Sequence, residues 1–227
     1  GFSFAEPIGG VIESTGVTSL VRESERLESD VGTDVNIYDE AETANGRMLI
    51  EFLDEEKLSL TENSLVYIDE AYYDPDPSKS KMAISMVRGT ARFASGAGNR
   101  IKKQNVDVST PTANITMRGT DFTTAIDELG RTMVVLLPDE ETGASSGEIV
   151  VYNDGGEVVL TEAYAATVVS SYDTAPTQSV IIQGITPNLI DNMFIVNPPT
   201  EIREQIEENY RDENDQDQGL LLSLIHI

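Results

Sequence analysis

From Gly10 to about Ile182, apolar and polar residues alternate with a period of two, broken at intervals by short polar clusters. Side chains of a strand point alternately to opposite faces, so this period marks half-buried β-strands. Residues 47–53 predict one strand, Asp54-Glu55-Glu56 a turn, and 57–60 the returning strand. After Thr61-Glu62-Asn63-Ser64 a further strand covers 65–69. Short strands at this spacing, bounded by Asn, Asp, Gly and Ser, predict an all-β sandwich, barrel or solenoid.

The second half repeats the theme. Strands at 149–152 and 158–160 flank Asn153-Asp154-Gly155-Gly156, whose Asp-Gly and Gly-Gly pairs suit the positive-φ positions of a tight hairpin turn. Residues 50–62 can be laid over 150–162 without a gap, which fits either an internal repeat or two convergent hairpins. Loops are predicted at 74–80, where Pro75 and Pro77 forbid regular pairing, and at 138–147. The alternation stops near Ile185. Thr186-Pro187 then opens a short predicted helix through Met193. Beyond Pro198-Pro199, Thr200 caps a second one with Ile202, Ile206 and Tyr210 on one face. Residues 211–219 are charged, with little to bury, and are expected to be disordered.

Charge changes the functional picture most. Fifteen Lys and Arg stand against forty Asp and Glu, a formal net charge of −25. Nucleic acid and anionic membranes need a cationic footprint, so neither is an expected partner. There is no Cys, which removes disulfides, thiolate metal sites and Cys nucleophiles. The longest apolar runs, 133–137 and 220–222, are far short of the ~20 residues that span a bilayer.

The chain opens Gly1-Phe2-Ser3-Phe4-Ala5, without Met or a charged leader, and ends in a run, 222–227, similar to read-through of a sequencing adapter. The expected organisation is a β domain over 1–185, short helices and an acidic linker over 186–219, and an artefact over 220–227, in a fragment cut at both ends. Discounting that tail removes His226, the only His.

Several motifs occur in a fixed order. Residues 50–64 form strand, turn, Leu-alternating strand and a closing Ser. Met86-Val87-Arg88-Gly89-Thr90-Ala91-Arg92-Phe93 supplies a strand ending in Gly and then an aromatic strand. Thr110-Pro111-Thr112-Ala113 leads into Arg118-Gly119-Thr120-Asp121-Phe122, and Gly147 to Val151 closes the unit. This order, over roughly 47–160, resembles the FecR domain family, with Asp54-Glu55-Glu56 where the family pattern has Asp-Gly-Ser. The resemblance implies a mainly β fold, a FecR-like twisted sandwich or solenoid, followed here by the short C-terminal helices. The family's membrane-anchored iron-transport regulators carry a cytoplasmic segment, a transmembrane helix and a receptor-contacting module, and the sequence contains none of these. FecR-like modules are also similar to parts of structural proteins of tailed marine bacteriophages.

The family residues Thr110, Pro111, Ala113, Arg118, Gly119, Thr120 and Phe122 are read as fold-building, with ligand contact by Arg118 as the alternative. A second feature is a stretch holding Lys79, Lys81, Arg88, Arg92, Arg100, Lys102 and Lys103 and no acid. It reads either as a docking strip for an anionic partner, such as another copy of this acidic chain, or as strands neutralising acidic neighbours. Asp74, Asp76 and Ser78 could offer oxygens to Ca²⁺ but lack the Gly and distal Glu of a calcium loop.

No catalytic, metal or cofactor residues are assigned. Without Cys or a native His, thiol catalysis, a Ser-His-Asp triad and His-based metal sites are excluded. No phosphate-cradling Gly-rich motif occurs, and acids alone do not make a glycosidase. The expectation is a non-enzymatic module that binds other protein subunits or itself, in a phage virion or other extracellular assembly. The alternative is a periplasmic FecR-type sensor that regulates iron transport through a sigma factor.

Overall fold

The structure is a computed structural model and describes residues 6–95, 105–139 and 141–183. The chain forms β1 (Gly9–Arg22), β2 (Glu25–Glu28), β3 (Asp34–Val35), β4 (Glu40–Phe52), β5 (Lys57–Leu60) and β6 (Leu65–Tyr72). A 3₁₀ turn (Pro77–Lys79) leads to β7 (Lys81–Ala94), then β8 (Asn105–Ser109), β9 (Asn114–Arg118), β10 (Phe122–Ile126) and β11 (Thr132–Leu136). β12 (Ile149–Asn153), β13 (Gly156–Leu160), β14 (Ala165–Val169) and β15 (Val180–Ile181) follow. The strand-rich span expected from the alternation is thus present, and the protein is mainly β.

All fifteen strands join one hydrogen-bonded network. Its main path runs β13-β12-β9-β8-β7-β10-β11-β14-β15, and β1 to β6 attach through β5 and β6. β7 is the spine. Its first half lies between β6 and β8, and its second half between β5 and β10. Pairing with β8 is parallel, whereas β6, β5 and β10 pair with it antiparallel. The result is one continuous hydrogen-bonded network around one core, of the mainly β class expected, with parallel pairing at β7–β8 among otherwise antiparallel neighbours.

The core follows from the alternation. Met48, Ile50 and Phe52 of β4 are buried while the residues between them are half-exposed. On β7, even-numbered Met82, Ile84 and Met86 are buried, then odd-numbered Ala91 and Phe93. The parity changes beside Val87-Arg88, where the register against β6 shifts by a bulge. One extra residue keeps the same face of β7 on the core along its whole length. β11 is buried at every position, as the continuous apolar run at 133–137 suggests. A single cluster reaches from Val11 and Leu20 on β1 to Val169 on β14.

Two expectations are corrected. The gapless superposition of 50–62 on 150–162 requires Val150 opposite Val158, but Val150 pairs with Val159. Ile50 and Phe52 face the core, whereas Ile149 and Val151 take those places in the second hairpin and Tyr152 is exposed. Five residues separate the pair Glu51↔Lys57, and two separate Asn153↔Gly156, so an odd difference flips the faces. In that second turn the positive φ falls on Gly156 (150°) and not on Asp154 or Gly155, while Glu55 takes φ 69° in the first. The helices predicted at 186–193 and after Thr200, the acidic linker and the residues 220–227 lie outside the described residues.

Candidate functional site

The recurring motifs meet in space. Ser64 closes the turn before β6, and its Oγ accepts from Thr90 N at 3.1 Å and donates to Thr90 O at 3.3 Å. This brings it against Gly89, which has φ 92°. Phe93, at the end of the same strand, lies opposite Phe122 in the β7–β10 register. Both rings are buried and stacked, with centroids 5.8 Å apart.

Thr110-Pro111-Thr112-Ala113 forms the β8–β9 turn. Thr110 Oγ1 accepts from Ala113 N at 3.0 Å and from Thr112 N at 3.3 Å. Both Thr110 and Thr112 share hydroxyl bonds with Thr132 of β11, at 2.8 and 2.7 Å. Pro111 packs over Gly130, where an added Cβ would come within 2.8 Å of its ring. Ala113 is fully buried. The turn thereby ties β8 and β9 to the β10–β11 hairpin.

Arg118-Gly119-Thr120-Asp121 connects β9 to β10. Gly119 has φ 60°, which a non-Gly residue adopts only with strain. Thr120 is buried and donates to Arg118 O or Glu148 O, at 3.2 and 3.4 Å. Asp121 is also buried: its Oδ1 accepts from Ser95 N at 2.9 Å, and its own N–H donates to Ser146 Oγ at 3.1 Å. Arg118 itself is exposed and has interaction partners. It borders an open groove of about 610 Å³ on the outer face of β8, β9 and β12, lined also by Asn105, Asp107, Thr116, Glu148 and Thr161. Those groups can donate and accept hydrogen bonds.

This arrangement of motifs is matched by a known family. The model described as FecR protein matches residues 39–138. Residues 39–138 are a FecR domain. Two crystal structures of a proposed anti-sigma factor from Parabacteroides distasonis ATCC 8503, at 2.50 and 1.65 Å, are similar to the chain at 15% identity, with a TM-score of 0.43. Each likeness covers 61% of this chain, and the chain spans 57% of that protein's length. No curated protein matches. The virion expectation gains no support from these comparisons.

The basic residues of the FecR domain project outward along the spine. Lys79 lies in the 3₁₀ turn, while Lys81, Arg88 and Arg92 share the outer face of β7. Lys81 pairs with Glu70 at 3.4 Å, and Arg88 with Glu42 at 3.3 Å. Glu42 also takes Arg26 at 2.8 Å. Arg92 has interaction partners too. Arg100, Lys102 and Lys103 lie outside the described residues. Asp74, Asp76 and Ser78 bond mainly within their own loop: Asp76 N donates to Asp74 Oδ1 at 2.9 Å, and Ser78 Oγ to Asp76 Oδ1 at 2.8 Å. Among the described residues no group of three or more acids or His could hold a metal ion. Nor is any described helix long and apolar enough to cross a membrane.

Sequence reasoning missed the buried acids. Asp39 is fully buried and accepts Arg22 Nε and Nη2 at 2.9 and 2.8 Å, together with Asn36 N at 2.8 Å. The Asp39 carboxylate raises the affinity of the Arg22 guanidinium for its proton. Glu56, in the β4–β5 turn, is fully buried as well. An acid in a turn ordinarily reads as solvated, and no signal in the sequence distinguishes these.

Proposed function

We propose that this protein is a FecR-type regulator, whose β domain acts by contact with other proteins rather than by catalysis. The observation that supports it is the FecR match over residues 39–138. The disposition of side chains agrees with such a role. Motif residues such as Ser64, Thr110, Thr120 and Phe122 face inward or bond to backbone, which leaves the outer faces of β7, β8, β9 and β12 for contact. A signalling domain of this kind works outside the cytoplasm and relays the state of a surface receptor to a sigma factor.

The test is to extend the coding sequence on both sides and assay the full-length protein against its neighbours. A transmembrane helix before Gly1, an adjacent sigma-factor gene and co-purification with that factor are the expected results. Tail or baseplate genes beside it, and recovery of the protein in purified particles, would overturn the regulatory reading in favour of a virion component. Enzymatic turnover of any substrate, abolished by a single substitution in the groove, would overturn the non-catalytic part.

A further inference from the structure

Glu56 is the least expected side chain in the core. Its backbone is fixed by the turn: Phe52 N donates to Glu56 O at 2.8 Å, and Glu56 N donates to Asp54 Oδ1 at 3.3 Å. Its side chain is fully buried, and neither Oε1 nor Oε2 receives a hydrogen bond. The titratable groups that face it, among the described residues, are Asp54 of the same turn, Asp121 of the β9–β10 turn and the Tyr73 phenol beyond β6. Lys57, the next residue, lies on the exposed side, 4.0 Å from Glu51.

An ionised carboxylate without a donor, buried beside two other acids, is disfavoured by both desolvation and repulsion. A proton on Glu56 removes both penalties, because the carboxyl becomes neutral and gains an O–H to give to Asp54. Burial first, then the neighbouring charge and hydrogen bonding of Asp54, and last Asp121, raise the proton affinity of Glu56 well above that of an ordinary Glu.

The same turn holds the start of β1. Leu53 N donates to Ile8 O at 3.1 Å, and the Tyr73 hydroxyl donates to the same carbonyl at 3.3 Å. Ile8 N in turn bonds Val35 O at 2.8 Å. A change in the turn therefore reaches the N-terminal edge of the sheet through the Ile8 carbonyl, next to the Gly9↔Phe52 pair of the β1–β4 ladder.

We propose that Glu56 and Asp54 hold one proton between them, making the β4–β5 turn a proton-dependent clasp on the N-terminal edge. When the proton leaves to solvent, the turn carries a second negative charge beside Asp121, and the contacts to Ile8 loosen. A carboxyl with raised proton affinity stabilises the fold fully below its unfolded pKa, and the contribution is lost as pH rises through the folded value. The folding equilibrium constant then falls by up to about tenfold per pH unit across that window.

The experiment compares wild type with Glu56→Gln by urea unfolding from about pH 5 to about pH 9, with infrared detection of protonated carboxyl. Wild type is expected to lose stability as pH rises and to show a protonated-carboxyl band at neutral pH. The variant should lose both the slope and the band, and the protection of the Leu53 amide, taken relative to its intrinsic exchange rate at each pH, should stop responding to pH. Parallel slopes in the two proteins would overturn the proposal. So would absence of the band. Should Glu56→Gln fail to fold, Asp54→Asn decides: the band should vanish at a lower pH than in wild type, and an unmoved pH overturns the pairing.

Discussion

A Cβ on Gly89 would stand 2.1 Å from Ser64 Oγ and 2.5 Å from Ser64 Cα. The spine strand and the turn before β6 thus approach too closely for a side chain at position 89. Gly89 also holds φ 92°, which L side chains rarely adopt. Gly89→Ala is therefore expected to destabilise the domain by about 2–4 kcal/mol. Ser64→Ala alone should cost about 1 kcal/mol, through the lost hydroxyl bonds to Thr90. Adding it to Gly89→Ala should not rescue the double variant, because the clash reaches Ser64 Cα. Urea denaturation of the two single variants and the double variant measures this.

The Phe93–Phe122 stack lies at the centre of the wrapped sheet, with Phe93 also opposite Leu58 and Phe122 opposite Leu136. Truncation of either ring to Ala should cost about 3–5 kcal/mol, and replacement by Leu distinctly less. Thermal denaturation of Phe122→Ala and Phe122→Leu gives the comparison.

Asp39 is buried under a two-pronged contact from Arg22, whose side chain keeps about a third of its exposure. Asp39→Asn leaves the guanidinium without its carboxylate and is expected to cost about 2–3 kcal/mol. A double-mutant cycle with Arg22→Ala should show strong coupling, and additive losses would show that the pair does not act as one unit.

Burial, followed by the charges of Asp54 and Glu56, pushes the Tyr73 phenol far above its ordinary range. A phenol whose folded pKa is raised supports the fold below the unfolded value near 10 and loses that support as pH rises further. In an alkaline absorbance titration, one of the eight tyrosines should ionise only as the domain unfolds, and Tyr73→Phe should remove that late step.

Lys81 and Arg88 hold half-exposed ion pairs with Glu70 and Glu42. Such pairs contribute little, so replacing both cations by Ala should change stability by less than about 1 kcal/mol. If β7 docks an acidic protein, the same double variant should weaken the complex and flatten its salt dependence, measured by titration calorimetry at two ionic strengths.

Strand positions such as 57–60 and 149–152 were legible because alternation is a local property of the chain. The order of the Ser64, Gly89, Thr110 and Arg118 motifs also pointed to the FecR domain, since those residues answer to turns and close approaches written into short stretches. What the sequence by itself determined is the strand–turn–strand segments at 47–69 and 149–160, the mainly β class and the resemblance to the FecR domain over 39–138.

The tertiary structure alone decided the rest. It set β7 as a shared spine, the opposite facing of two hairpins that look superposable, and the meeting of Phe93 with Phe122. It also buried acids such as Asp39, Glu56, Asp121 and Asp127, which nothing in the sequence sets apart from the rest of the forty. The physical reason is that burial and charge are properties of packing between distant segments. One residue of difference in a turn reverses every face beyond it, and a carboxyl's protonation depends on which strands enclose it.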